Sequence, residues 1–572
     1  MVRGGRVFRK RQQPLLHFLF ALLALDLFQP LAQAQVVRDA IKPPDTSSPT
    51  ASANSPLAAS TSNVPNAVNS KLLSNRQPDE RQPDERETEM RSDSGSTNEV
   101  VSDRLTLADV IASVYRSYPL IEQSRLERSR TQGQLVEAYG AYDTKLQGYT
   151  LSEPTGFYEN FRNGIGLARQ TWWGGYLSAG YRLGRGEFQP WYKERETNEA
   201  GEFKLAMGVP LLQGRAIDPQ RLAVFQAALA GQAAEPLIQQ SLLMAAKEGS
   251  TLYWEWVTAG AVLDAQRELL ELAEQRGEQY AAGVEAGKFA EIDLIFNQQL
   301  IAERQGKVFE TQQKFRANSF KLSLYLRNDL GQSIIPADDW LPTRFPVIEP
   351  LPPGDFQADL AAALSRRPEL MLLQYEQRQI QLDQQLARNQ LLPQLDLMSE
   401  ASQDVGTPAS SSNDKGQFEL LVGVQGEVPI QRRKARGKIQ STSAKMAQIE
   451  QKLRLQRDKI GAELQTAYNA LMLSVQGVEQ AELALRAAID TLSRYRFAFE
   501  RGKVDLIYIN LLESKANETE IKLVEAQRNW FVALAEMQAA LGLDPLDQAM
   551  LISLLPDSTR PGPGNLPRPS AP

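Results

Sequence analysis

Between Arg432 and Arg501 the apolar positions Leu453, Ile460, Leu464, Ala467, Leu471, Val475, Val478, Leu485, Ile489 and Leu492 recur in steps of three, four or seven. That spacing draws one stripe along a helix and is the seam of a coiled coil. No proline interrupts the run, and at about 1.5 Å per residue it predicts a helix roughly 100 Å long. Globular helices are usually near a dozen residues, so this one does not pack inside an ordinary compact domain. After Gly502-Lys503 a second helical pattern runs from Leu506 to Leu541 and stops at Gly542, with Pro545 beyond. The chain goes far out, turns at Gly502 and comes back.

An earlier stretch repeats this plan. After Val209-Pro210-Leu211, Asp218 caps a helix with Pro219 in its first turn. Leu242, Ala246, Leu252, Trp256, Ala259, Leu263 and Leu270 form its stripe, and Pro236 predicts a bend. Gly287-Lys288 matches Gly502-Lys503. Pro210 to Gly287 spans 77 residues and Pro429 to Gly502 spans 73, a difference of one helical turn. Short helices precede matching kinks at Tyr118-Pro119 and Arg367-Pro368, the first with Thr106 and Asp109 as a capping pair. The chain is an internal duplication.

Ahead of each long helix the period changes from helix to strand. Phe203, Leu205, Met207 and Val209 alternate with polar or small residues, and so do Phe418, Leu420, Val422 and Val424. Ile165-Gly166-Leu167 and Tyr181-Arg182-Leu183 are shorter, weaker signals. Aromatics crowd this window, among them Trp172, Trp173 and Trp191, and Gly174-Gly175 offers a turn. No run after the N-terminus is apolar enough for a membrane helix, which leaves a closed barrel of strands as the way to cross a bilayer. About four candidate strands cannot close a channel, so several chains would contribute. A soluble β-subdomain with an aromatic patch fits the same periodicity.

The organisation that follows is a signal peptide at 1–34, a disordered leader at 35–102, a first repeat at 103–335, a linker at 336–354, a second repeat at 355–545 and a disordered tail at 546–572. The signal rests on Arg3 to Arg11, the apolar run Leu15 to Leu25 and the small-x-small site Ala32-Gln33-Ala34. Leader and tail are rich in Ser, Pro, Gly and Asn and cannot bury a core. The net charge of −6 gives no reason to expect nucleic acid. The chain has no cysteine, and its one histidine, His17, lies in the signal. Ser-His and Cys-His catalysis and thiolate or imidazole metal sites are therefore excluded from the mature chain, and no cofactor is expected. Arg432, Arg433, Lys434 and Arg436 crowd the start of the second long helix, against its dipole, as a basic collar.

The opening LTLADVIASVYRSYP and its partner ADLAAALSRRPEL resemble those of the TolC-type outer-membrane efflux proteins, as do the two Val-Pro-(Leu/Ile) strand exits and the two turn glycines. The resemblance covers about Leu105 to Pro545. It implies a mainly helical chain with a β-barrel portion. A homotrimer would take four strands per chain into a twelve-stranded transmembrane barrel, above a coiled-coil tunnel through the periplasm. The turns at Gly287 and Gly502 would be the tip that meets a periplasmic adaptor (membrane fusion protein) and an inner-membrane pump, and lipid would surround the barrel. Family acidic positions at the tip match Asp293 but are Tyr508 and Leu511 in the second copy. Phe499 stands at a family tyrosine, and Asp505 and Glu513 are substitute carboxylates for a gate. The alternative class is an exported coiled-coil rod that tethers envelope layers.

Overall fold

A computed structural model describes residues 104–188, 196–287, 290–328, 330–348, 354–409 and 416–543. The signal, the leader, Trp191, Lys288 and the tail lie outside them. The first repeat has helices α1 (Leu107–Ser117) and α2 (Pro119–Tyr139), strands β1 (Lys145–Glu153), β2 (Asn160–Gln170), β3 (Tyr176–Gly186) and β4 (Glu202–Pro210), then α3 (Pro219–Glu285) and α4 (Glu291–Ser323). The second has α5 (Phe356–Arg366), α6 (Pro368–Asn389), β5 (Gln394–Asp404), β6 (Glu419–Glu427), α7 (Arg433–Glu500) and α8 (Leu506–Leu541). Helix for helix the copies match in length: 11 and 11, 21 and 22, 67 and 68, 33 and 36 residues.

Local chemistry sets these boundaries. Thr106 and Asp109 form a reciprocal capping box at α1. Pro119 and Pro368 each occupy the first turn of the next helix, where a missing N–H costs nothing. Gly287, Gly502 and Gly542 take φ near +70°, which a side chain would oppose, so the helices turn or stop there. Helix α3 continues through the buried Pro236 as a single element.

The strands form one open antiparallel sheet in the order β1-β2-β3-β4-β5-β6. This corrects the expectation of four strands: six are present among the described residues, four from the first repeat and two from the second. The weak Ile165 and Tyr181 signals belong to full strands of 11 residues. Asn163 and Arg169 interrupt the apolar side of β2 and Arg185 that of β3, which shortens the alternation that the sequence shows.

The main core sits midway along the long helices. Trp256 is fully buried and donates Nε1–H to Ser319 Oγ at 3.1 Å. Trp254 stacks on Phe531 at 4.0 Å between ring centres and on Phe345 at 5.6 Å, which binds the 330–348 segment and α8 to α3. Arg367, buried beside Glu369 and Glu463, donates to the carbonyls of Ala539 and Ala540 and so caps the end of α8. In the expected α7 seam, Leu453, Ile460, Leu464, Ala467, Leu471, Val478 and Leu492 are buried, but Ile489 is 54% exposed. Near the tip α7 keeps α8 as its partner, and one partner covers only one narrow stripe.

Candidate functional site

Three places in the described residues have the geometry of a working part: the sheet, its junction with the helices, and the turns at the far end. On the sheet the register sorts side chains into two faces. One face carries Leu146 on β1, Phe161, Ile165 and Leu167 on β2, Tyr181 and Leu183 on β3, Phe203, Leu205 and Met207 on β4, Leu395 and Leu397 on β5, and Leu420, Val422 and Val424 on β6. Nothing among the described residues covers it: Ile165 is 56% exposed, and Val422 and Val424 are each 61% exposed. An apolar surface that broad has no place in water.

The opposite face is polar. Glu153 pairs with Arg162 at 3.2 Å, Glu202 with Arg182, and Lys204 with Glu400 at 2.5 Å, a balanced row of opposite charges. Glycines interleave with them, and the rings of Tyr149 and Tyr176 lie over Gly164 and Gly208, where a Cβ would collide. Strands β1 and β6 end the sheet on either side, each with one edge that has no strand beside it among the described residues.

At the junction, Asp218 accepts from the backbone N–H of Arg221 at 2.8 Å and from its Nε at 2.7 Å. Arg221 also donates to the carbonyls of Arg215 and Gly214, while Gly214 N–H reaches Asn389 Oδ1 at the end of α6. The Thr171–Gly175 turn between β2 and β3 nests here, with Gly174 so close to the Gly214 carbonyl that no side chain would fit. Trp172 packs among Tyr139, Tyr142 and Phe225, and Trp173 is 37% exposed. Trp172, expected among membrane-interface aromatics, has its ring neighbours at the strand–helix junction. The basic collar opens α7 on the other side of the sheet. Arg432 caps that helix with φ +50° and no side-chain bond, and Arg433, Lys434 and Arg436 are exposed without an ion pair among the described residues.

At the far end Asp293 lies in the first turn of α4 and is half-buried, whereas Asp505 is the exposed N-cap of α8. Phe499 is half-buried, and Tyr508 and Leu511 are exposed. Neither aspartate forms an ion pair among the described residues. The carboxylate that does is Glu513, which is buried about two turns further along α8. It meets Arg276 of α3 at 2.5 Å, Arg496 of α7 at 3.1 Å and Arg304 of α4 at 3.7 Å, so one acid joins all four long helices. Arg276 also donates to Asn510, Arg304 to the Leu269 carbonyl at 2.8 Å, Asn297 to the Ala273 carbonyl, and Gln266 to Asn517. Burial lowers the Arg304 pKa, with Glu513 opposing and Arg276 adding to the shift. Sequence reasoning singled out Glu513 as a substitute carboxylate for a gate and missed its three arginines. The available signal was polarity on the α8 stripe, where Asn510, Glu513 and Asn517 take seam positions.

No described helix is long and apolar enough to cross a membrane. No three of the described Asp, Glu, His or Cys residues stand together as metal ligands.

No protein-family model matches the chain, and no curated protein does. Solved structures do. The chain superimposes on the Campylobacter jejuni CmeC outer-membrane channel with a TM-score of 0.56 at 12% identity, over 79% of this chain and 90% of that one. The open state of the Neisseria gonorrhoeae MtrE outer-membrane channel gives 0.55 at 13% identity, over 77% and 89%. CusC gives 0.55 at 15% identity, over 76% and 92%. The chain has the fold of the TolC-family outer-membrane channels.

Proposed function

We propose that this protein is the outer-membrane channel-tunnel of a tripartite efflux or type I secretion system, a passive duct and not an enzyme. The observation that carries this reading is the uncovered apolar sheet face, set on helices of 67 and 68 residues. A rod that tethers layers needs the helices but not that face. Three copies would close the sheet into a barrel in lipid, with the charged face lining the lumen and the helices forming a periplasmic tunnel. The turns at Gly287 and Gly502 would dock a periplasmic adaptor and an inner-membrane pump. The collar at Arg432, Arg433, Lys434 and Arg436 lies beside the end of β6, within reach of lipid phosphates.

The test is fractionation and conductance. Outer-membrane extracts should yield a trimer in detergent that forms channels in planar bilayers; a protein soluble without detergent would leave the rod. For the tip, Asp293→Ala with Asp505→Ala should raise conductance. Exposed charges are worth only about 1 kcal/mol each, but a trimer multiplies each loss by three. An unchanged conductance would move the gate to Phe499, Tyr508 and Leu511.

A further inference from the structure

The first repeat carries a hairpin, β2–β3, that the second lacks, and the sheet accommodates it without a break. Nine residue pairs join β1 to β2, eleven join β2 to β3 and seven join β3 to β4. Both strands have 11 residues, the length that crosses a bilayer at a tilt of about 45°. They share the apolar face of their neighbours through Ile165, Leu167, Tyr181 and Leu183. Their turn is locked at the helix junction by Trp172 and Gly174. The hairpin is therefore part of the wall.

We infer that the trimer closes an eighteen-stranded barrel, wider than the twelve-stranded barrel that the resemblance implies. This rests on the channel reading. Six strands that alternate in direction present β1 and β6 antiparallel to each other, so copies join head to tail by the same pairing used inside the sheet. Strands about 4.8 Å apart and tilted near 40° give a circumference of ~110 Å and a diameter of ~36 Å for eighteen, against ~24 Å for twelve. Twelve long helices at about 10 Å spacing form a ring of ~120 Å, so the wider barrel continues the bore of the tunnel. Gly164, Gly166, Gly180 and Gly184 on the lumen side of the added strands put little bulk in the way. The lining pairs Glu153–Arg162, Glu202–Arg182 and Lys204–Glu400 balance in charge. The cargo this mouth fits is a bulky polar solute or polypeptide of either charge.

The cysteine-free chain makes the test direct. The register aligns Gln147 on β1 with Lys204 on β4 across β2 and β3, which puts them ~14 Å apart, beyond disulfide reach. In assembled trimers Gln147→Cys with Lys204→Cys should form no disulfide within a chain. Ser178→Cys, on the lumen face, should react with a membrane-impermeant maleimide, and Ala179→Cys, on the lipid face, should not. Deletion of residues 160–186 should lower by about one third the diameter of poly(ethylene glycol) that enters from the sheet end, as twelve strands replace eighteen. A disulfide between 147 and 204, equal reactivity at 178 and 179, or an unchanged polymer limit overturns the inference. Should the deletion fail to assemble, the three cysteine results in the intact chain decide. Failure of the parent to conduct at all sinks the channel reading instead.

Discussion

Helices α3 and α7 are copies of one element, one residue apart in length, in opposite surroundings. Helix α3 packs against α1, α2, α4, α6 and α8, and it buries Tyr253, Trp254, Trp256 and Val257 in one turn. Helix α7 packs against α5, α6 and α8 and leaves Met472, Leu473, Leu483 and Phe497 exposed. Their beginnings differ in the same sense. Helix α3 opens on a charged cap locked by Arg221, whereas α7 opens on an arginine in left-handed backbone with four basic residues nearby. A duplicated sequence plan has not given a duplicated environment. The first copy builds the inside of the protomer, and the second keeps an apolar stripe for whatever stands beside it, which in the proposed trimer is the next chain.

The sharpest way to break this comparison is at Glu513, where α8 of the second copy is joined to α3 and α4 of the first. Glu513→Ala would leave Arg276 and Arg304 buried against each other, and removing one side of a buried ion pair costs about 3–5 kcal/mol. Arg496 reaches the same acid from α7 but is half-exposed, so Arg496→Ala should cost about 1 kcal/mol or less. Thermal unfolding of the detergent-solubilised protein separates the two. Equal losses would mean that the cluster does not bind the copies together.

The caps offer a contrast of sign. Asp218→Ala removes a bond to a helix N–H and the partner of Arg221, and it should destabilise by about 1–2 kcal/mol. Arg432→Gly relieves a left-handed residue and should stabilise by about 1 kcal/mol. Denaturant midpoints that move in the same direction for both would show that the two helix starts are equivalent after all.

What could be foreseen follows the range of the forces. Helix ends, turns and the capping box depend on residues within four positions of each other, so Thr106, Asp218, Gly287, Gly502 and Gly542 announced themselves. The β2–β3 hairpin announced itself only in part, through Ile165–Leu167, Tyr181–Leu183 and the Gly174-Gly175 turn, because Asn163 and Arg169 interrupt its apolar side and shorten the period. The arginine cluster was hidden for another reason. Arg276, Arg304, Arg496 and Glu513 sit on four helices, and each alone reads as a solvated charge. Trp172 was legible as an aromatic beside a turn, but its ring neighbours Tyr139, Tyr142 and Phe225 lie on other elements and could not be read from its own stretch.

The smallest effect concerns the contact of α3 with α8 midway between tip and core. Glu520 of α8 is half-buried, and its pKa is raised above the ordinary 4.5, first by burial and then by Glu268 on α3. An acid whose folded pKa is raised favours the folded state most when protonated. Its contribution is complete below 4.5 and is lost as pH rises through the higher folded value. Glu520→Gln holds the neutral form at every pH. At pH 4 the variant should therefore unfold with the parent, and at pH 7 it should unfold about 1 °C higher, the shift expected of a fraction of a kcal/mol in a chain of this size. A difference between parent and Glu520→Gln that does not change from pH 4 to pH 7 would show that the repulsion across the two copies is not felt, and that α3 and α8 are held by packing alone.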